Sequence, residues 1–358
     1  MAKAGRVFLR GITSESYGLK AVRKQQLDAP RVRDSAVVVA DATVGQSGDS
    51  EQSTGNVWKI GPGDEPFLTQ ALQVQFLTFP PQSSNQGHGH QNEAAFYILE
   101  GRGYEIHDGQ RYDWSKGDLV LVHTDSVHRH FNPYDERAVV MIIKAKSAWM
   151  YLGLIQQGRS GPVDHDDRFG PRVEWSQLWS AGVVARRKVV KPEDTVWATT
   201  PLGRVRVLSS PETPDVRTFS IDVFELEVPA GGHSGKRWQM ADEVLYVLSG
   251  SGYSLHWEVE AEIADKYYAR IALEPTRHEF KTGDTVYVPQ NTVAQHFASD
   301  GSPLLLLSGQ NRMFKTLGYD RVVYLDSSPV TERNALGRPL QRSMLAEPSA
   351  RPVEVSIH

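Results

Sequence analysis

The sequence predicts an all-β fold made of two copies of one barrel or sandwich, and three observations carry that prediction. From residue 57 onward the apolar runs are short and separated by Gly, Pro and Asp at close intervals, the signature of many short strands. The second half then repeats the first. Glu100-Gly101-Arg102-Gly103-Tyr104-Glu105-Ile106-His107 aligns with Ser249-Gly250-Ser251-Gly252-Tyr253-Ser254-Leu255-His256 at an offset of 149 residues. Gly117 aligns with Gly283, and His130-Phe131 with His296-Phe297, at an offset of 166, so an insertion of 17 residues falls within 257–277. Finally, six of the twelve histidines lie between Gly87 and Asn132.

Taken in order, residues 14–27 carry Tyr17, Leu19, Ala21 and Val22 among Lys and Arg, which predicts a short amphipathic helix closed by Pro30 and packed on a barrel or a partner subunit. Residues 43–55, rich in Gly, Ser, Thr and Gln, read as a mobile loop. Strands are expected over 72–79, 96–99, beyond Gly117-Asp118, and over 138–144. A connector follows, with a loop at 158–162 and a short helix where Val173, Trp175, Leu178 and Trp179 keep helical spacing. Strands resume at 204–208, 219–228, 243–248, 285–289 and 304–308. Past Met313 one apolar run, 322–325, precedes a polar, proline-rich tail expected to lie over a neighbouring subunit. The expected division is an N-terminal extension (1–56), a metal-binding domain (57–147), a connector (148–200), a second, degenerate domain (201–312) and a tail (313–358).

Composition narrows the function. Apolar residues at 40% and charged residues at 23% describe an ordinary globular chain long enough for two well-formed cores. A net charge of -4, with no basic stripe beyond Arg186-Arg187-Lys188, gives no case for nucleic acid, and that run reads as a solvated strand end. With no cysteine, disulfides and thiolate ligands are excluded. Neither a signal peptide nor a membrane span is expected, so the expected location is cytoplasmic.

The chemistry concentrates in the histidine-rich stretch. His88 and His90 are two residues apart, so on a strand both imidazoles leave one face. After the turn at Gly101 and Gly103 and the strand opened by Gly117-Asp118 comes His128, with His130 and Asn132 on its own face. Two distant segments thus offer three imidazoles to one point, a donor set suited to iron, zinc, copper or nickel. A lone strand histidine is ordinarily solvated or hydrogen-bonded; three at these positions read as metal ligands. His130 has two readings, an acid/base group beside the metal or a packed side chain. His107 and His123 read as structural or surface residues, and Asp164-His165-Asp166-Asp167 as a solvated acidic loop.

This spacing resembles the two motifs of the cupin superfamily, with His88, His90 and Gly101 fitting the first and Gly117, His128 and Asn132 the second. His123 stands where the family usually has proline and Asp125 where it often has glycine. The resemblance implies tandem jelly-roll barrels, with short helices in the N-terminal and linker segments. It also implies a glutamate ligand four residues after the second histidine, but that position is Ala94; Glu93, one residue early, would point to the opposite face. The departure resembles the gentisate and salicylate dioxygenase branch, whose iron is held by three histidines and whose second motif carries a paired H-x-H, as His128-Arg129-His130 does.

At the repeat offsets His88, His90 and His128 fall on Arg237, Gln239 and Ala294, so the second copy has lost its metal and serves as scaffold; only Glu243, opposite Ala94, keeps a ligand's residue type. His233 and His296 hold open a weaker second site. For the first copy, the branch resemblance implies Fe(II)-dependent ring cleavage of a hydroxylated aromatic acid with O2, with His130 as acid/base or orienting group. Arg102, Tyr104 and Arg129 are candidate substrate-carboxylate partners. The alternatives are a non-oxidative metal enzyme (hydrolase, isomerase or decarboxylase) and a metal- or ligand-binding bicupin without catalysis. Long termini around a barrel predict a homodimer or homotetramer.

Overall fold

The computed structural model describes residues 28–36, 56–60, 71–154, 157–163, 166–174, 186–213 and 215–332. Four antiparallel sheets pair up as two barrels. In the first barrel one sheet runs Gln157–Arg159, His88–His90, Ser126–Asn132, Arg102–His107, Gln110–Ser115, and the other Val189–Val190, Leu119–Val122, Ala94–Glu100, Ala138–Lys144, Gln73–Phe79, Asn56–Ile60. The second barrel repeats this with Tyr267–Ile271, Ser251–Ile263, Thr292–Ala298, Lys236–Gln239, Val323–Asp326 in one sheet. Its other sheet runs Val32–Asp34, Asp284–Val288, Glu243–Ser249, Leu304–Asn311, Ile221–Val228, Gly203–Ser209, Trp197–Thr200.

Some strands are buried on both faces, which explains why they read as unbroken apolar runs instead of alternating ones. In Ala94–Glu100 the side chains of Ala94, Phe96 and Ile98 join the first barrel's core with Trp114, Val120 and Val140. Ala95 and Tyr97 point the other way, into a cluster shared with Val223, Val244, Tyr246 and Leu307 of the second barrel. Each large side chain so buried contributes about 1.5–3 kcal/mol, so the contact between barrels is part of the core. Polar bonds fix its register: Tyr97 donates to Glu225 Oε1 at 3.0 Å, and His123 Nε2 donates to the Val216 carbonyl at 2.7 Å. Gly309 lets Ile143 approach, since a Cβ there would lie 2.8 Å from Ile143 Cγ2.

The repeat is visible in the hairpins. Arg102 pairs with Ser115 and His107 with Gln110; Ser251 pairs with Lys281 and His256 with Thr276. Where the first hairpin closes through Asp108-Gly109, the second continues as a ribbon pairing Val259 with Ile271 and Ile263 with Tyr267. The insertion is therefore a lengthened hairpin. Gly101, at φ +79°, makes the expected turn, and a Cβ there would sit 2.4 Å from the Arg137 carbonyl.

Several expectations change. The connector completes both barrels: Gln157–Arg159 extends the His88–His90 edge, Val189–Val190 pairs with Leu119–Val122, and Trp197–Thr200 joins the second barrel. The helices described are Lys146–Tyr151 and Met313–Thr316; the helix and loop expected over 14–27 and 43–55, and most of the one following Val173, lie outside the described residues. The tail's Val323–Asp326 pairs with Lys236–Gln239 of its own chain, and Val32–Asp34 docks on Asp284–Val288 of the second barrel. Among the described residues no helix is long and apolar enough to cross a membrane.

Candidate metal centre

Strand register assembles the site. In the sheet that carries the histidines, His88 pairs directly with His128 and His90 with Ser126, and one ring nitrogen from each of His88, His90 and His128 lies within 4.8 Å of the others. It is the one such group of His, Cys, Asp or Glu among the described residues. The backbone orients two of the rings. His88 Nδ1 donates to the Gln86 carbonyl at 2.8 Å and His90 Nδ1 to the Asn92 carbonyl at 2.7 Å, which leaves Nε2 of each as the unprotonated nitrogen a metal requires. His128 is buried with neither ring nitrogen hydrogen-bonded. Burial lowers the pKa of all three, His90 to about 3, so at neutral pH they are uncharged. Three converging neutral imidazoles, one with no other partner, fit a divalent transition metal.

The two residues at the expected glutamate position separate as strand parity requires. Ala94 faces the barrel interior and offers no donor atom. Glu93 is buried facing the second barrel, where its carboxylate accepts the backbone N–H groups of Phe219 and Ser220 and the Ser220 hydroxyl, each at 2.8 Å. It ties the barrels together and is not near the histidines' face.

His130 shares the inner face with His128, their ring centroids 5.4 Å apart. It is packed at 4.5 Å against Phe96, and its Nδ1 lies 3.7 Å from Glu105 Oε2, beyond hydrogen-bond range. Burial pushes it down to about 3. Asn132 is structural, donating to the carbonyls of Phe79, Pro80 and Glu136.

Arg102, Tyr104 and Arg129 are not brought to the histidines, which corrects the expectation for all three. Glu105 and His107 point inward, so Arg102 and Tyr104 on the same strand point outward: Arg102 lies over the Tyr134 ring at 4.1 Å, and Tyr104 stacks on Phe131 at 4.7 Å. Arg129, between two inward histidines, likewise faces out and donates to the Asn85 carbonyl and Ser84 Oγ.

Glu105, His107 and Lys188 are buried as well. His107, expected to be structural or at the surface, is buried: it pairs with His128 across the strands, and burial lowers it to about 2. Glu105 is wholly buried with neither oxygen hydrogen-bonded, and burial pushes its carboxyl well above the ordinary range. Lys188, expected at a solvated strand end, is 2% exposed and lies 3.2 Å from His123 Nδ1. Period-two alternation from His128 and Gly103 was the available signal for Glu105 and His107. His165 lies outside the described residues.

The second barrel keeps the geometry and changes the chemistry. Arg237 pairs with Ala294 and Gln239 with Thr292, the places of His88, His128, His90 and Ser126. The Arg237 guanidinium donates to both oxygens of Glu243, at 2.7 and 2.6 Å, and Ser308 donates to Oε1 at 2.5 Å. A fixed internal cation thus stands where a metal would. His233 does not join a second site: its Nδ1 contacts Gln295 Nε2, whereas His296 is bonded to Ser254.

A Cupin domain model matches residues 75–144 and a Cupin model residues 191–312. No curated protein matches the chain. Among solved structures, the salicylate 1,2-dioxygenase of Pseudaminobacter salicylatoxidans superposes with a TM-score of 0.61 at 14% identity, covering 83% of this chain and 88% of its own. A structure of that enzyme from Pseudoaminobacter salicylatoxidans with gentisate gives 0.60 at 15% identity, covering 90% and 97%. At such identity the likeness is one of fold. With two cupin domains in tandem, the first carrying the three-histidine cluster, the chain belongs to the cupin superfamily as a bicupin.

Proposed function

We propose that the first barrel holds one Fe(II) through His88, His90 and His128 and cleaves the ring of a hydroxylated aromatic acid with O2. The observation that carries this reading is the donor set: three neutral nitrogens converge, and Ala94 stands at the inward position where a carboxylate would reduce the ion's charge. Bound there, the ion supplies an undiminished double charge that favours a chelating anion with dioxygen beside it. The carbonyls of Gln86 and Asn92 hold two ligand rings in the binding tautomer. Phe79, Phe96 and Trp114 line the interior and exclude water. To His130, on the ligands' face with Nε2 unpartnered, this reading assigns the acid/base or orienting role at the substrate's hydroxyl. Arg102 and Arg129 face away from the histidines. The fold shared with the salicylate dioxygenases supports the substrate class.

The test is metal substitution. Metal-free protein reconstituted under air with Fe(II) should abolish the aromatic absorbance of gentisate or salicylate, and reconstituted with Zn(II) should leave it intact. Equal turnover with both metals favours the non-oxidative reading, in which the ion acts only as a Lewis acid.

A further inference from the structure

We propose that the cleft where the two barrels meet binds a small organic monocarboxylate with an apolar body. The inference goes beyond the chemistry assigned to the first barrel and does not depend on it. The cleft has a volume of about 510 Å³, and three segments wall it. Trp149 and Leu152 follow the last strand of the first barrel, Arg217 and Phe219 lie between Gly203–Ser209 and Ile221–Val228, and Met313 opens the short helix after Leu304–Asn311. None of His88, His90 and His128 lines it, so the cleft is separate from the metal centre.

Two donors in its wall point to a ligand. Trp149 Nε1 and Arg217 Nε are each buried with no hydrogen-bond partner. The Arg217 guanidinium makes no hydrogen bond or ion pair among the described residues, yet its backbone is fixed at both ends. Its N–H donates to the Thr213 carbonyl at 2.6 Å, and its own carbonyl accepts from Arg186 Nη1 at 3.3 Å. Buried donors without acceptors are rare in folded chains, and a ligand oxygen in the cleft would satisfy them. A guanidinium offers a carboxylate two parallel N–H bonds, to which an indole N–H adds another donor.

The acidic groups around the cleft are already engaged elsewhere. Glu212 pairs with Lys315, and Asp222 with Arg312 at 3.0 Å. The Glu93 carboxylate, behind Phe219, accepts the N–H groups of Phe219 and Ser220 and the Ser220 hydroxyl. Of the charged residues that line the cleft, Arg217 is thus the cation left without a counter-charge, and it matches a ligand with one negative charge. Leu152, Leu154 and Phe219 are exposed apolar side chains on the same concave surface, which Met313 extends. That wall fits a hydrocarbon or aromatic body and disfavours a bare inorganic anion.

The experiment titrates full-length protein calorimetrically with octanoate, naphthoate, octanol and inorganic phosphate. Octanoate or naphthoate should bind at one such site per chain. Octanol, which keeps an apolar body without the charge, should bind about tenfold or more weakly than octanoate. Arg217→Gln and Trp149→Phe, both at half-buried positions that spare the core, each remove a donor and keep much of the side chain's bulk. The first should weaken carboxylate binding about tenfold or more, the effect of losing a charge-assisted hydrogen bond, and the second should weaken it by less. His88→Ala, which empties the metal centre, should leave the affinity unchanged and so separates this site from a carboxylate held by the ion. Failure of both acids to bind at millimolar concentration, octanol or phosphate binding as tightly as the better acid, affinity unaltered by Arg217→Gln and Trp149→Phe, or binding lost in His88→Ala would each overturn the proposal.

Discussion

His88 and His128 sit directly opposite one another on adjacent antiparallel strands with ring centroids 4.4 Å apart, and the same two places in the second barrel hold Arg237 and Ala294. One scaffold thus carries two electrostatic solutions. In the first, neutral donors wait for an external cation; in the second, the guanidinium of Arg237 satisfies Glu243 from within. Elemental analysis of purified protein should therefore find about one tightly bound transition-metal ion per chain. His88→Ala or His128→Ala should bring that to near zero with an unchanged circular dichroism spectrum, because the barrel core is apolar. Two tightly bound ions per chain would contradict the assignment.

Glu93 should matter for stability and not for metal. Its removal leaves the N–H groups of Phe219 and Ser220 without their acceptor at the contact between barrels, a loss of about 2–4 kcal/mol in Glu93→Ala. Denaturant unfolding measures that loss, and metal content, measured on the same sample, should be unchanged.

Much of this was legible in the sequence because it follows from strand periodicity and the repeat. Parity puts His88 and His90 on one face and sets the opposite fates of Ala94 and Glu93, whereas bringing His128 beside His88 also takes the pairing register of the two strands. Parity also condemns Arg102, Tyr104 and Arg129, whose positions alternate with inward residues, and it picks out Glu105 and His107; chemistry-led selection of arginine overrode it. The unbroken apolar run of Ala94–Glu100 fits a strand covered on both faces, but nothing in it identifies the cover, which is Val223, Val244, Tyr246 and Leu307 of the second barrel. The burial of Lys188 was not legible, since it depends on a two-residue strand from the connector pairing with Leu119–Val122.

Acid should destabilise the metal-free protein from about the ordinary histidine pKa downward. His123 and His296 are held near 4 and His130 near 3 by burial, all below the 6.5 expected in the unfolded chain. Above pH 6.5 both states are neutral and stability is complete. As pH falls, the unfolded chain takes up protons first and stability is lost, by about 1.4 kcal/mol per pH unit for each such group. Asp222 and Asp242, raised to about 6, take up protons in the folded state and offset part of the loss. Denaturant midpoints at pH 7.5, 6 and 5 should fall in that order; a flat profile would mean these rings are not buried neutral.

His130 separates ligand from reactive group. It lies on the inner face but beyond His128 along the strand, packed on Phe96. His130→Gln should retain most of the metal and lower kcat about a hundredfold, the usual scale of an acid/base contribution. Metal loss equal to that of His128→Ala would make His130 a ligand.

The central claim is oxygen-dependent ring cleavage, and oxygen stoichiometry tests it most directly. Protein loaded anaerobically with Fe(II) and mixed with a gentisate-like, salicylate-like or catechol-like acid should remain inactive until air is admitted. It should then consume one O2 for each aromatic ring lost, followed together by electrode and absorbance. Conversion of the acid at the same rate without oxygen would contradict the dioxygenase account.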